Sequence, residues 1–212
     1  MGLPVLILGD SGTGKSASMR NLDPAKTSVI NVIGKRLPFK NEFTTFTCRD
    51  IDVVMQKAIP KIKTPVMVID DFGYLITDLF LRHSYGADKY RDQYEVYKEI
   101  GAKIYDLINE LNTTVPENTI CYLTMHLDRD ATGSLMPATV GKLLNEKINL
   151  VGMFTIVLMS MCDADGYWFV TNQTPPTKSP MGMFESEKIP NDLKAVDDAI
   201  REFWGIGVDR KD

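Results

Sequence analysis

The chain is poor in the residues that build redox and metal sites. Among 212 residues there are 3 cysteines and 2 histidines. Cys48, Cys121 and Cys162 stand far apart, in no metal-ligand spacing, which argues against a zinc framework or a disulfide-stapled domain. Two of the three fall in apolar, strand-like runs, so buried free thiols in a reducing, cytoplasmic setting are expected. No apolar run reaches membrane-spanning length, so no membrane partner is expected. The first strand-like run begins almost at Met1, and no signal peptide is expected. Acidic residues outnumber basic ones, 28 to 24, for a net charge of −4. That balance excludes a broadly basic surface coating nucleic acid, though not a confined basic loop. Repeats, low-complexity tracts and composition breaks are absent, so one domain spanning 1–212 is expected.

What the chain does contain is concentrated near its start. Gly9-Asp10-Ser11-Gly12-Thr13-Gly14-Lys15-Ser16 follows directly on the apolar run Val5–Leu8. This is GxxxxGK[ST] between a strand and a helix expected over Ser16–Arg20. The glycines let the backbone curl so that successive N–H groups point at a phosphate. Lys15 supplies a cation to the β- and γ-phosphates, the Ser16 hydroxyl suits Mg²⁺, and Ala17 enters the helix whose N-terminus faces the anion. ATP with Mg²⁺ is the expected ligand pair. The spacing is not GxGxxG, so a dinucleotide-binding loop is excluded.

Further along, Ser28–Ile33 reads as a strand, Gly34–Asn41 as a basic loop and Phe43–Thr47 as a short strand. Asp50 suits the cap of a helix reaching about Ala58. Pro65–Asp71 is a continuous apolar strand ending in two carboxylates. Gly73–Asp92 reads as a long mixed loop. Tyr90–Leu111 has helical periodicity, with Tyr94, Tyr97, Ile100, Ile104, Leu107, Ile108 and Leu111 on one face. Thr119–Met125 is a further buried strand closed by His126, followed by a loop over Leu127–Thr139 and a helix over Val140–Leu150. Asp163-Ala164-Asp165-Gly166 is a hairpin turn between Phe154–Met161 and Tyr167–Thr171. A final helix is expected from Asn191 to Trp204. Apolar strands alternating with helices predict an α/β fold with a mostly parallel sheet covered on both faces.

The apolar strand ending at Asp70 fits a Walker B element beside the phosphate-loop strand, with Asp70 serving the metal. Asp71 is either a second carboxylate that orients the attacking water or the first residue of a turn. No hydrolytic base stands out: the loop after the second strand is basic, and Glu42, Glu95 and Glu99 are the nearby acids. His126 either contacts the γ-phosphate or is a solvated strand-end histidine. Thr124 and His126 interrupt an otherwise apolar strand.

The order of phosphate loop, strand, Walker B, long helix, polar-ended strand, helix, hairpin and lysine resembles the RecA-like ATPase core over nearly the whole chain. The resemblance implies a three-layer αβα P-loop NTPase with a C-terminal antiparallel hairpin. Thr177–Gly182 looks like the segment that carries a finger into the neighbouring subunit's nucleotide, with Lys178 matching its lysine. Pro180 stands where helicases of the DnaB type carry an arginine. Gly34–Phe39 and Lys178–Phe184 further resemble phage-encoded RecA-like or AAA-type ATPases, including minimal single-strand annealing proteins. The resemblance implies a homo-oligomer, ring or filament, in a host cytoplasm. A single-strand binding protein or a helicase is the implied protein partner. It also implies single-stranded DNA at the loops after Asp70 and His126. There Arg82, Lys89, Arg91 and Arg129 would meet phosphates, and Tyr85 and Tyr90 would stack bases. A solvated polar loop is the rival reading.

Two other functions remain open on the sequence. One is a helicase loader or regulatory ATPase with no DNA contact of its own. The other is a small-molecule kinase, for which Leu127-Asp128-Arg129-Asp130 makes a poor lid.

Overall fold

The computed structural model describes residues 1–85, 92–140 and 148–207. Its strands are β1 (Leu3–Gly9), β2 (Thr27–Asn31), β3 (Thr44–Thr47), β4 (Val66–Asp70), β5 (Ile120–Arg129), β6 (Leu135–Pro137), β7 (Ile156–Asp163), β8 (Gly166–Val170) and β9 (Lys188–Pro190). They lie in the order β3-β2-β4-β5-β1-β7-β8-β9, with β6 paired to β5 off this path. From β3 across to β7 every pairing is parallel, and β8 and β9 then add antiparallel strands at one edge. This is the expected mostly parallel sheet, with the C-terminal antiparallel hairpin at one edge.

The layers follow from side-chain alternation along the strands. Leu6, Leu8, Ile30, Met67, Ile69, Cys121 and Leu123 belong to one apolar cluster; Val5, Ile7, Val29, Val66, Val68, Ile120 and Tyr122 belong to another. The first cluster is covered by α1 (Ile51–Val53, prolonged by a π turn over Val54–Ala58), α2 (Gly73–Tyr85) and α3 (Gln93–Thr113). The second is covered by a 3-10 helix over Ser16–Asn21 and by α4 (Leu193–Trp204). On α4, Leu193, Val196 and Ile200 are fully buried, each contributing roughly 1.5–3 kcal/mol. Asp192 caps α4 by accepting from the Lys194 N–H, so the helix starts at Leu193, two residues later than the expected Asn191.

Several expectations are corrected. The Walker B strand β4 does not lie beside the phosphate-loop strand: β5 stands between them. The first part of Gly73–Asp92 is not a loop but α2, whose Leu75, Ile76 and Leu79 bury against the sheet. Its polar residues obscured that periodicity. The segment after His126 is a hairpin, because β5 runs on to Arg129 and pairs with β6. On α3 the buried face takes Val96, while Tyr94 is exposed beneath the Lys98 ammonium. Of the cysteines only Cys121 is buried, its thiol pushed up to about 12 by desolvation; Cys162, in β7, is exposed. Most of the helix expected over Val140–Leu150 lies outside the described residues. No helix among the described residues is long and apolar enough to cross a membrane.

Candidate functional site

Parallel strands deliver their C-terminal ends to one edge of the sheet, and there the site is built. Register places Gly9 level with His126 on one side and with Ser160 on the other. It places Asn31 level with Asp70. Residues distant in sequence therefore surround the loop that leaves β1.

The loop cannot carry side chains where it is most tightly held. A Cβ on Gly9 would come within 2.8 Å of the Ser160 carbonyl oxygen. Gly14 has a φ of +95°, and a Cβ there would lie 3.0 Å from Asn191 Oδ1 and 3.1 Å from the Tyr167 ring. Ser160 Oγ donates to the Thr13 carbonyl at 2.5 Å, and Asn191 Nδ2 donates to Ser160 Oγ at 3.2 Å. Thr13 Oγ1 closes the turn on the Asp10 carbonyl at 2.8 Å. The helix after the loop is a short 3-10 segment, not an α-helix, so its dipole adds little beyond the first turn.

Lys15 is buried and donates to the carbonyls of Gly9 and Asp10, both at 2.7 Å. Burial lowers its pKa below the usual lysine value, against the pull of Asp71 and Asp70. Ser16 Oγ donates to Asp70 Oδ1 at 2.9 Å and Oδ2 at 3.0 Å. Asp70 is 3 % exposed, and burial followed by repulsion from Asp71 raises its pKa. The intervening strand β5 is what completes this corner. Thr124 Oγ1 donates to Asp70 Oδ1 at 2.8 Å and accepts from the Asp71 N–H at 2.8 Å. Asp71 is equally buried and has a φ of +64°, uncommon outside glycine. His126 Nε2 lies 3.8 Å from Asp71 Oδ1 and its Nδ1 3.4 Å from Lys15 Nζ. Burial, then the Lys15 charge, holds its pKa below the usual histidine value, which favours the neutral ring.

Lys15, Ser16, Asp70, Asp71 and His126 line a cleft of about 370 Å³, together with Ser11, Gly12, Gly14, Ala17, Lys35, Arg36, Leu37, Pro38 and Tyr167. That volume lies within the range of small-ligand sites. The donor set fits Mg²⁺ with a phosphorylated ligand: Ser16 and Asp70 offer hard oxygens side by side. Mg²⁺ needs only one or two protein oxygens when phosphate and water supply the rest. Among the described residues no group of three or more His, Cys, Asp or Glu side chains is placed to hold a metal ion unaided.

The structure thus brings together the whole expected loop, Asp70, Asp71 and His126. It does not bring Lys178 to them. The Lys178 backbone pairs with Val157, which is level with Leu6, about 10 Å down the sheet from Gly9 at ~3.3 Å per residue. None of the three glutamates lines the cleft: Glu42 is exposed, Glu95 pairs with Lys98 at 2.8 Å, and Glu99 lies 3.4 Å from His83. Arg82 sits on α2 between Asp50 and Asp78, 2.6 Å from each. Its charge is therefore already matched, not presented by an open loop. Arg129 is exposed at the end of β5, donating to the Gly133 carbonyl at 3.2 Å. Lys89, Tyr90 and Arg91 and the Tyr85 side chain lie outside the described residues. The sequence reading missed Lys35, Tyr167, Ser160 and Asn191. Only the basic character of Gly34–Asn41 signalled Lys35.

No family model matches the chain, and no curated protein matches it. Among solved structures it is similar to a KaiC-like protein from the hyperthermophilic archaeon Pyrococcus horikoshii OT3. The identity is 12 %, with 84 % of this chain and 83 % of that chain covered and a TM-score of 0.45.

Proposed function

We propose that this chain binds Mg-ATP in the cleft at the C-terminal edge of its sheet and hydrolyses it. One observation carries the reading: a buried lysine, a hydroxyl and a buried carboxylate converge on a glycine-bent loop that has no room for a Cβ at Gly9 or Gly14. Loop amides and Lys15 suit the phosphates, and Ser16 with Asp70 would hold the metal. The metal, when bound, would neutralise charge developing on the transferred phosphoryl group. Asp71 and His126 face the same space, and Asp71 is the carboxylate best placed to orient a water. A small-molecule kinase is disfavoured, because the β5–β6 hairpin extends the sheet and is not an arginine-rich lid over the loop.

We further propose that the ATPase works as a homo-oligomer on single-stranded DNA, in recombination or strand annealing. Its support is the sequence resemblance together with Arg129, exposed on a strand that begins its exit from the cleft at His126. A loader or regulatory ATPase without DNA contact is favoured by one observation, the neutralised Arg82. ATPase rates with and without single-stranded DNA, alongside the oligomeric state by light scattering, test both. DNA stimulation of an oligomer supports the first; turnover indifferent to DNA in every nucleotide state supports the second. Absence of Mg²⁺-dependent ATP binding overturns the proposal as a whole.

A further inference from the structure

A close charge pair at the cleft joins Asp71, next to the Walker B aspartate, to a lysine outside both sequence motifs. Lys35 Nζ lies 2.6 Å from Asp71 Oδ2. The two partners are held very differently. The Asp71 side chain is 4 % exposed and that of Lys35 59 %. Asp71 is fixed at both ends of its peptide: its N–H is on Thr124 Oγ1, and the Phe72 N–H is on the Thr124 carbonyl, both at 2.8 Å. The Lys35 backbone is also fixed, by Asn31. The Asn31 Nδ2 donates to the Lys35 carbonyl at 2.6 Å, and its Oδ1 accepts from the Gly34 N–H at 2.7 Å. Asn31 is itself buried at the end of β2, level with Asp70. The Lys35 side chain, more than half exposed, is the less constrained partner, and it lines the cleft together with Lys15.

We propose that Lys35 is a second phosphate-binding cation, parked on Asp71 and drawn onto the terminal phosphate of a bound nucleoside triphosphate. The inference rests on the nucleotide site proposed above. The cleft lining carries three cations, Lys15, Lys35 and Arg36, against two carboxylates, Asp70 and Asp71, a surplus that suits an anion. A triphosphate with one Mg²⁺ adds net negative charge beside Asp71, and its terminal phosphate offers a stronger acceptor than a single carboxylate. A diphosphate lacks that group and leaves Lys35 where it is. Lys35 thereby reads the number of phosphates, and its departure releases the Asp71 carboxylate toward the reacting end of the nucleotide. The rival role is static: Lys35 merely neutralises a buried carboxylate.

Titration of the full-length chain with fluorescent ADP and a fluorescent non-hydrolysable ATP analogue, in Mg²⁺, separates the two. Lys35→Ala is expected to weaken the triphosphate analogue by about tenfold and ADP by less than about threefold, so the preference for triphosphate collapses. Lys35→Arg should retain it. The Lys35→Ala/Asp71→Asn double variant removes the buried carboxylate's need for a partner. If Lys35 contacts phosphate, the double variant stays about tenfold weaker for the triphosphate than Asp71→Asn alone. Recovery to the Asp71→Asn value overturns the inference in favour of static neutralisation. An unchanged triphosphate-to-diphosphate ratio in Lys35→Ala overturns it as well, with the nucleotide site intact. Failure of the unaltered chain to bind either nucleotide overturns the site itself and this inference with it.

Discussion

Thr124 offers a test of how the site is assembled that needs no ligand. Its hydroxyl is fully buried, donates to the Asp70 carboxylate and accepts from the Asp71 N–H. Thr124→Val keeps the volume and shape but deletes both bonds. A hydrogen bond to a charged group is worth roughly 1.5–3 kcal/mol, and a buried N–H left without a partner costs roughly 1–3 kcal/mol. The expected loss is about 3 kcal/mol, allowing for local relaxation. For a chain of this size that is a fall in Tm of about 6–12 °C. Thr124→Ser keeps the hydroxyl and removes one methyl, which should cost only about 1 kcal/mol. Urea denaturation and thermal melts of the nucleotide-free protein measure both variants. The Val variant should also bind Mg-nucleotide more weakly, because Asp70 loses a donor that favours its charged form. A loss below about 1 kcal/mol for Val would refute the bridging role of Thr124. A Ser variant as damaged as Val would show that packing, not the hydroxyl, matters there.

Lys15→Ala should remain folded by circular dichroism yet lose nucleotide affinity by about tenfold or more, since the side chain faces the ligand cleft and its contacts are two loop carbonyls and the ring of His126. The raised pKa of Asp70 means that its stabilising contribution is present below the unfolded carboxylate pKa and lost as pH rises through the folded value. At neutral pH the fold therefore holds this charge at a cost. Asp70→Asn should raise the Tm of the nucleotide-free chain at pH 7, by an amount that shrinks toward pH 4, while abolishing Mg²⁺-dependent hydrolysis more completely than Asp71→Asn. A lower Tm at pH 7 would contradict it. Lys178 lies well down the sheet from its own loop, so in the oligomer proposed above it would serve a neighbouring subunit's site. Mixing Lys178→Ala with Lys15→Ala subunits should restore part of the ATPase rate, and mixed oligomers without recovery would count against it.

The phosphate loop was legible because its chemistry is local. Glycines, lysine and serine must follow one another at one spacing for a backbone to wrap an anion, so consecutive residues carry the whole signal. Asp70 was legible for a related reason: an apolar strand that ends in a carboxylate displays it at the sheet edge. Thr124 and His126 were visible as polar breaks in a buried strand. The hairpin turn at Asp163–Gly166 was equally local, as the β7–β8 pairing bears out. Sequence could not say which strands are neighbours. Hydrophobic periodicity defines a strand's faces but carries no label for its partner, so the insertion of β5 between β1 and β4 emerged only from the tertiary fold. That insertion is what puts Thr124 against Asp70 and His126 beside Lys15. Helix α2 was hidden because Thr77, Asp78, Arg82 and His83 dilute its apolar stripe, and packing on the sheet outweighs that weak pattern. The Lys35–Asp71 pair was the least legible feature. It joins two loops from non-consecutive strands and depends on a buried asparagine turning one of them inward. A charge's partner is chosen by distance in space, and only the folded sheet sets that distance.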